Sequence, residues 1–147
     1  MADEFKIVPH HQGEDDVETR IAACEILHLQ LRPNMERPYV QHILEILDEG
    51  GQFVAGHNEN GICCLALYRI FKTTLGGPRL YVDDLVTDQS LRGRSYGEKL
   101  LMWIEGVAKS QGCGIATLES GVQRADAHRF YFRNGYAVTA FSFEKTI

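Results

Sequence analysis

A strand-to-helix junction at residues 81–101 has the chemistry of a phosphate site. The run YVDDLVT reads as a buried strand, and the loop after it opens into an amphipathic helix. The first turn of a helix presents unpaired backbone N–H groups and the positive end of the helix dipole. Arg92, Arg94 and Lys99 add positive charge, so the junction predicts a site for a phosphate or pyrophosphate. The loop residues expected to contact this anion are Arg92, Gly93, Arg94, Ser95, Tyr96 and Gly97.

Two adjacent aspartates, Asp83 and Asp84, lie in the same predicted strand just before the loop. A carboxylate can remove a proton from an ammonium group, directly or through a water molecule. An amine of pKa ~10 is neutral in only about one molecule per thousand near pH 7, which costs roughly 4 kcal/mol. Since neighbouring residues of a strand face opposite ways, at most one aspartate enters a given cleft, and Asp84 shares its face with Val82 and Val86. Either carboxylate could instead bond to backbone or to an arginine.

The composition is that of one globular domain spanning residues 1–147. The formal net charge is −5, with 44% hydrophobic and 24% charged residues, as is usual for soluble domains. The absence of a basic surplus argues against a nucleic-acid partner, and no apolar run approaches the ~20 residues of a membrane span. The acidic N-terminus lacks the apolar core of a signal peptide, so we expect a cytoplasmic protein.

The four cysteines indicate reduced core thiols. They form no C-x-x-C pair and no zinc-type spacing with the histidines, so we expect no bound metal. A nucleophilic cysteine would need an activating partner, and none is recognisable. The four are Cys24, Cys63, Cys64 and Cys113.

Hydrophobic periodicity and turn residues predict the element order β-α-α-β-β-β-α-β-α-β, an α/β (α+β) fold with a mixed sheet and helices on both faces. The expected strands are residues 5–8, 52–57, 61–73, 79–87, 115–119 and 136–145. The expected helices are residues 15–31, a second from about residue 36 to the Gly50-Gly51 stop, residues 96–110 and residues 125–133.

Two segments are similar to motifs of the GNAT superfamily of N-acetyltransferases. Residues 92–97 resemble its pyrophosphate loop, Q/R-x-x-G-x-G/A, with Arg92 first and Gly97 last. Ser95 stands where the family usually has glycine, which matters only if that position needs a positive φ. Residues 127–136 (AHRFYFRNGY) resemble the element A-x-x-F/L-Y-x-x-x-G-F/Y, and residues 123–131 are similar to the aminoalkylphosphonate N-acetyltransferase branch.

The resemblance implies a GNAT-like acyl-CoA N-acyltransferase fold and acetyl-CoA as the co-substrate. It further implies that the acetyl group moves to a primary amine by direct attack in a ternary complex, with Asp84 as the base. Tyr131 stands where the family has the tyrosine that protonates the departing CoA sulfur, although a packed aromatic is the alternative. Backbone groups of Leu85, Val86 and Thr87 would, by resemblance, hold the acetyl and pantetheine arm.

The acceptor stays open at this point. Arg32 and Arg37 lie in a connection that often forms the acceptor pocket in this family, and they would suit an acidic small-molecule amine; solvated surface charge is the alternative. A protein amine as acceptor, or a non-catalytic acyl-CoA-binding module, also fits the sequence. The single last strand expected at residues 136–145 would leave an open edge. We expect a second subunit to cover this edge, which gives a homodimer.

Overall fold

The computed structural model describes residues 4–147 and has the expected mixed α/β architecture. None of the helices in this part of the chain has the length and apolar character to span a bilayer. The strands are β1 (Lys6–His10), β2 (Gln52–Asn58), β3 (Gly61–Thr73), β4 (Gly76–Thr87) and β5 (Ile115–Leu118). The helices are α1 (Val17–Ala23), α2 (Glu25–Leu31), α3 (Tyr39–Asp48), α4 (Tyr96–Ser110) and α5 (Ala125–Arg133), with a 3-10 turn at Gln89–Leu91. The chain divides into two compact units, one ending at Thr117 and the other comprising Leu118–Ile147.

The sheet of the first unit has the strand order β1-β2-β3-β4-β5. Strands β1 to β4 pair antiparallel with their sequence neighbours. Strand β5 follows the α4 crossover and lies beside the first half of β4, where the Thr117 hydroxyl donates to the Leu80 carbonyl at 3.1 Å. The residues of β4 that follow Leu80 therefore lead into the predicted phosphate loop.

Helices cover both faces of the sheet, as expected from the sequence. Successive residues of a strand face opposite ways, so alternate residues share a face, and Phe53, Ala55, Leu65 and Leu67 pack into one buried cluster with α1, α2 and α3. Cys64 faces the other way, and its Sγ lies 3.8 Å from the Tyr96 carbonyl at the start of α4. Two helical layers thus hold β3 and β4 from opposite sides.

Three helices end in the same motif, which explains why their ends could be predicted. Gly50, Gly112 and Gly135 have φ of +96°, +86° and +86°, each one residue past a helix cap. The residue after each glycine donates its N–H to a carbonyl five residues back at 2.9–3.0 Å. This is the Schellman arrangement, in which glycine adopts the left-handed conformation without a Cβ penalty. The expected helices 96–110 and 125–133 are confirmed.

The single helix expected over residues 15–31 is wrong in its continuity. It is two helices, α1 and α2, which meet at Cys24. The Cys24 N–H donates to the Ile21 carbonyl at 2.9 Å, three residues back, and its Sγ donates to the Arg20 carbonyl at 3.4 Å. A tightened turn and a thiol contact therefore replace the regular helical bond at this point.

A β-bulge interrupts the β3–β4 ladder at Asp83. Leu67 pairs with Asp84 and Tyr68 pairs with Val82, so Asp83 has no opposite residue. A bulge adds one unpaired residue to a strand and increases its local twist, which re-aims the neighbouring side chains. Because Leu67 and Tyr68 face opposite ways, their partners Asp84 and Val82 do too, so the expectation that Asp84 shares a face with Val82 is wrong.

The last strand expected at residues 136–145 does not form. In the second unit the chain after α5 has no strand pairing, and Val138, Phe141 and Phe143 are 72%, 85% and 93% exposed. These β-branched and aromatic residues have high strand propensity, but a strand also requires a neighbour that supplies backbone hydrogen bonds. Propensity alone therefore misled the prediction here.

Candidate functional site

The predicted phosphate loop lies in the first unit and directly precedes α4. Arg92 is extended, Gly93 has φ +81° and Ser95 has φ +61°. Ser95 occupies the N-cap of α4, and its side chain makes no capping hydrogen bond. A left-handed residue followed by helical residues makes a concave run of backbone N–H groups that suits an anion. The loop therefore has a backbone form that suits an anion, and its role as a phosphate site stays a prediction.

Ser95 has a positive φ, the case in which replacing the family's usual glycine by serine matters. It is the non-glycine residue with positive φ in the described chain, residues 4–147. A left-handed conformation costs an L-residue about 1–2 kcal/mol. Strain of this kind clusters at ligand sites. The serine therefore carries the loop shape at a conformational cost that glycine would avoid.

The positively charged side chains around the loop differ in the contacts that they already make. Arg92 and Arg94 are exposed, and neither forms an ion pair with a carboxylate among residues 4–147. The Lys99 ammonium lies 5.5 Å from the centre of the Phe5 ring. The Tyr96 side chain is 2% exposed and stacks on Phe5 at 5.3 Å. Tyr96 can therefore serve an anion only through its backbone.

Asp84 is a buried carboxylate held by two basic side chains of α2 and its C-terminal end. It is 8% exposed. Its Oδ2 lies 2.8 Å from His28 Nε2, and its Oδ1 accepts from Arg32 Nε at 2.8 Å and Nη2 at 2.7 Å. Burial acts to raise the pKa of Asp84, but the hydrogen bonds and charges of His28 and Arg32 outweigh burial and lower it. Asp84 is therefore ionised at neutral pH.

His28 is a site residue that the predicted motifs did not include. It lies only in the apolar stripe of the helix predicted over residues 15–31, which comprises Val17, Ile21, Cys24, Leu27, His28 and Leu31. It is fully buried, and its Nδ1 lies 3.0 Å from the Tyr39 hydroxyl. Burial raises the pKa of Tyr39 far above its ordinary value, so the phenol stays protonated. The available signal was the stripe itself, because a polar residue at a core position needs a buried partner.

Asp83 has a structural partner on the neighbouring strand. Its Oδ2 accepts from Arg69 Nε at 3.2 Å. Burial raises the pKa of Asp83, and Arg69 only partly offsets this effect. The adjacent aspartates thus have pKa values shifted in opposite directions.

A cavity of about 400 Å³ opens beside Asp84. Arg32, unlike Arg37, lines it; Arg37 pairs with Glu25 instead. The Arg32 side chain is 55% exposed, so it can meet a ligand while it holds Asp84. The polar side chains that line the cavity are His28, Arg32, Asn34, Glu36, His42 and Asp84.

The remaining predicted site residues are split between the two units. Leu85, Val86 and Thr87 pair with Ala66, Leu65 and Cys64 of β3, at the end of β4 that leads into the loop. Tyr131 lies in the second unit, where its ring is 5.3 Å from Phe130 and 5.8 Å from Tyr136. Tyr136 is the residue that closes the Schellman motif of α5 on the Tyr131 carbonyl. This helix end therefore fixes the local setting of Tyr131.

Residues 20–136 match the model of the acetyltransferase (GNAT) family, so the chain belongs to that family. Enzymes of this family use acetyl-CoA as co-substrate. Within residues 4–147, no group of three or more histidine, cysteine, aspartate or glutamate side chains is arranged to hold a metal ion.

Two curated relatives match part of the chain. The chain is similar to the uncharacterized N-acetyltransferase YhdJ of Bacillus subtilis (strain 168), at 39% identity over 72 residues, which cover 48% of the chain and 51% of that protein. It is also similar to the aminoalkylphosphonate N-acetyltransferase of Salmonella typhimurium, at 38% identity over 66 residues, or 45% of the chain and 43% of that protein. The matches therefore span about half the length of these relatives.

Among solved structures, the fold is similar to the aminoglycoside N-acetyltransferase AAC(6')-Iy in complex with CoA. The TM-score is 0.81 at 12% identity, with 100% of this chain and 97% of that chain covered. At this identity the likeness concerns the fold.

The pKa of Asp84 is lowered and that of Asp83 is raised, so removing each charge should have opposite effects on the free energy of unfolding. Asp84 has a lowered pKa, so its ionisation stabilises the fold above the ordinary value of 3.8 and this contribution is lost as pH falls through the folded pKa. We expect Asp84→Asn to lower the free energy of unfolding by about 1–3 kcal/mol at pH 7, with a smaller deficit at pH 3. Urea unfolding at both pH values measures this.

Asp83→Asn is the matched control. Its raised pKa means that ionisation of Asp83 opposes folding above the folded pKa. We therefore expect Asp83→Asn to leave the free energy of unfolding at pH 7 unchanged or higher. Equal losses in the two variants would contradict the assignment.

Proposed function

We propose that this chain transfers an acetyl group from acetyl-CoA to a primary amine of a small molecule, by direct attack in a ternary complex. The observation that carries the proposal is the left-handed Ser95 turn at the uncapped start of α4. With Arg92 and Arg94 beside it, this turn suits the pyrophosphate of coenzyme A. Membership of the acetyltransferase family supports the same ligand.

Direct transfer is favoured over a covalent acetyl-cysteine because the buried thiols are poor nucleophiles. The thiolate is the reactive form of cysteine. Burial raises the pKa of Cys24 to about 12, and a hydrogen bond with Cys63 together with burial raises that of Cys64. Neither thiol is ionised at neutral pH.

Asp84 is the proposed group that meets the acceptor ammonium, because it is ionised and borders the cavity. The family element around Tyr131 supports this tyrosine as the proton donor to the departing CoA sulfur, since a phenol is protonated at neutral pH. Backbone groups of Leu85, Val86 and Thr87 are the proposed contacts of the pantetheine arm, and an N–H there would polarise the thioester carbonyl.

The acceptor class is an amine that also carries an anionic group. Arg32 lines the cavity beside Asp84, so one wall presents a carboxylate for an ammonium and a guanidinium for a second, negative group. The name of one relative, an aminoalkylphosphonate N-acetyltransferase, fits the same class. Such an amine matches both charges of the cavity wall.

Coenzyme A binding tests the loop. We expect Gly97→Leu to weaken the affinity for CoA at least tenfold, because the side chain obstructs the approach of the pyrophosphate to the backbone. Gly106→Leu is the matched control: it lies in the same helix, is exposed, and its added Cβ meets no atom within 4 Å. Isothermal titration calorimetry measures both, and equal affinity in the two variants would refute the loop assignment.

Acceptor preference tests the amine class. A thiol-release assay with acetyl-CoA compares 2-aminoethylphosphonate, β-alanine and propylamine. We expect kcat/KM for the two acidic amines to exceed that for propylamine at least tenfold. Arg32→Gln should abolish this preference, while Arg37→Gln, which changes an arginine outside the cavity, should keep it. If the chain binds CoA but none of the amines tested, peptides included, causes release of the CoA thiol, a non-catalytic module would be favoured instead.

A homodimer is the proposed assembly. Val138, Phe141 and Phe143 are exposed apolar side chains on the segment after α5, and clustered exposed apolar residues mark protein interfaces. We expect sedimentation velocity at micromolar concentration to give a dimer, and the double variant Phe141→Ser, Phe143→Ser to give a monomer. A wild-type monomer at all concentrations would exclude the assembly.

A further inference from the structure

Four side chains form a continuous hydrogen-bonded line through the first unit. It runs from the Tyr39 hydroxyl to His28 Nδ1 at 3.0 Å, from His28 Nε2 to Asp84 Oδ2 at 2.8 Å, and from Asp84 Oδ1 to Arg32. The line links α3, α2 and β4. Tyr39 is 3% exposed and His28 is 0% exposed, while Asp84 and Arg32 border the cavity.

The protonation state of each group follows from its neighbours. An ionised carboxylate only accepts hydrogen bonds, so Nε2 of His28 carries the hydrogen that meets Asp84. An imidazolium also carries a hydrogen on Nδ1, which the Tyr39 oxygen accepts; in a neutral ring Nδ1 is an acceptor, and the Tyr39 hydroxyl donates to it. In both forms Nε2 donates to Asp84, and in the neutral ring Tyr39 selects the tautomer that allows this.

We propose that His28 is the positioning residue of Asp84: its Nε2–H binds Oδ2 and holds the carboxylate in place at the cavity wall, and Tyr39 binds Nδ1 so that Nε2 presents its hydrogen to the carboxylate. The inference rests on the proposed acetyl transfer, in which Asp84 meets the acceptor ammonium. His28 lies in the cavity wall but is 0% exposed, and its Nε2 is engaged by Asp84, so it acts through that carboxylate.

The alternative is a histidine that only ties the helices to the sheet. The two roles differ in what happens to Asp84 when the ring is lost. Burial is the largest influence on this carboxyl and acts to raise its pKa. Without the His28 hydrogen bond, Arg32 alone would oppose burial, so the carboxyl would take up a proton at higher pH.

Other charged groups near Asp84 must be considered in any pH profile. Arg32 faces it from the end of α2, and Asp83 with its partner Arg69 lies beside it on the sheet. Glu36 and His42 line the same cavity. Tyr39 faces His28 from α3, and Cys24 lies close enough to Tyr39 to influence it.

Carbon-13 NMR measures the titration of the Asp84 carboxyl, and ¹⁵N NMR measures the protonation of the His28 ring nitrogens. We expect His28→Leu to move the carboxyl midpoint up by about one to two pH units, the equivalent of one hydrogen bond to a charged group. His28→Gln, whose side-chain amide can still donate, should restore most of this shift. His11→Leu, at an exposed position, is the control and should leave the midpoint unchanged.

Kinetics provide the second readout. The acid limb of the pH profile of kcat/KM should follow the same shift in His28→Leu, with kcat more affected than KM. A folded His28→Leu protein with the wild-type carboxyl midpoint would overturn the proposal. If His28→Leu does not fold, Tyr39→Phe decides: loss of the Nε2–H preference in the ring ¹⁵N signals supports it, and unchanged signals overturn it. The NMR arms need no acceptor, so failure of the acetyl-transfer assay is distinguishable from failure of this inference.

Discussion

The interaction between Asp84 and His28 organises the rest of the candidate site. A carboxylate that is 8% exposed must have partners, since an uncompensated buried charge is strongly destabilising. Its two principal partners come from α2 and the residue after it, and this fixes the helical layer against β4. The cavity lies where this layer meets the strand, with Asp84 on its wall. The position of the cavity is thus a consequence of how the charge of Asp84 is satisfied.

Local sequence signals predicted much of the fold, and they succeeded where local physics decides. Helices α4 and α5 begin and end where the pattern predicts because glycine at positions 112 and 135 allows a Schellman end. The break at Cys24 could not be predicted, because nothing in the apolar stripe differs between one helix and two. The last strand failed for a related reason, since strand formation depends on a partner that periodicity does not identify.

The parts of the candidate site that are contiguous in sequence could be predicted, whereas contacts between residues far apart in sequence could not. The loop at residues 92–97 is contiguous, and its motif could be recognised from the sequence. The φ of Ser95 could not, because serine usually avoids that conformation. Family resemblance favoured Asp84 over Asp83, whereas its partner His28 lies 56 residues away along the chain. Only the folded chain brings α2 onto β4 and makes that pair visible.

Arg32 both pairs with Asp84 and lines the cavity, and this has a chemical consequence for the proposed acceptor. Its guanidinium holds Asp84 Oδ1 while more than half of its side chain stays exposed at the cavity. A ligand whose negative group attracts the guanidinium would weaken the ion pair between Arg32 and Asp84. The pKa of a carboxylate rises when it loses a cationic partner. Recognition of the ligand and the strength of the base would then be coupled through one cation. An amine without a negative group would leave the base restrained, so selectivity would arise in reactivity as well as in binding.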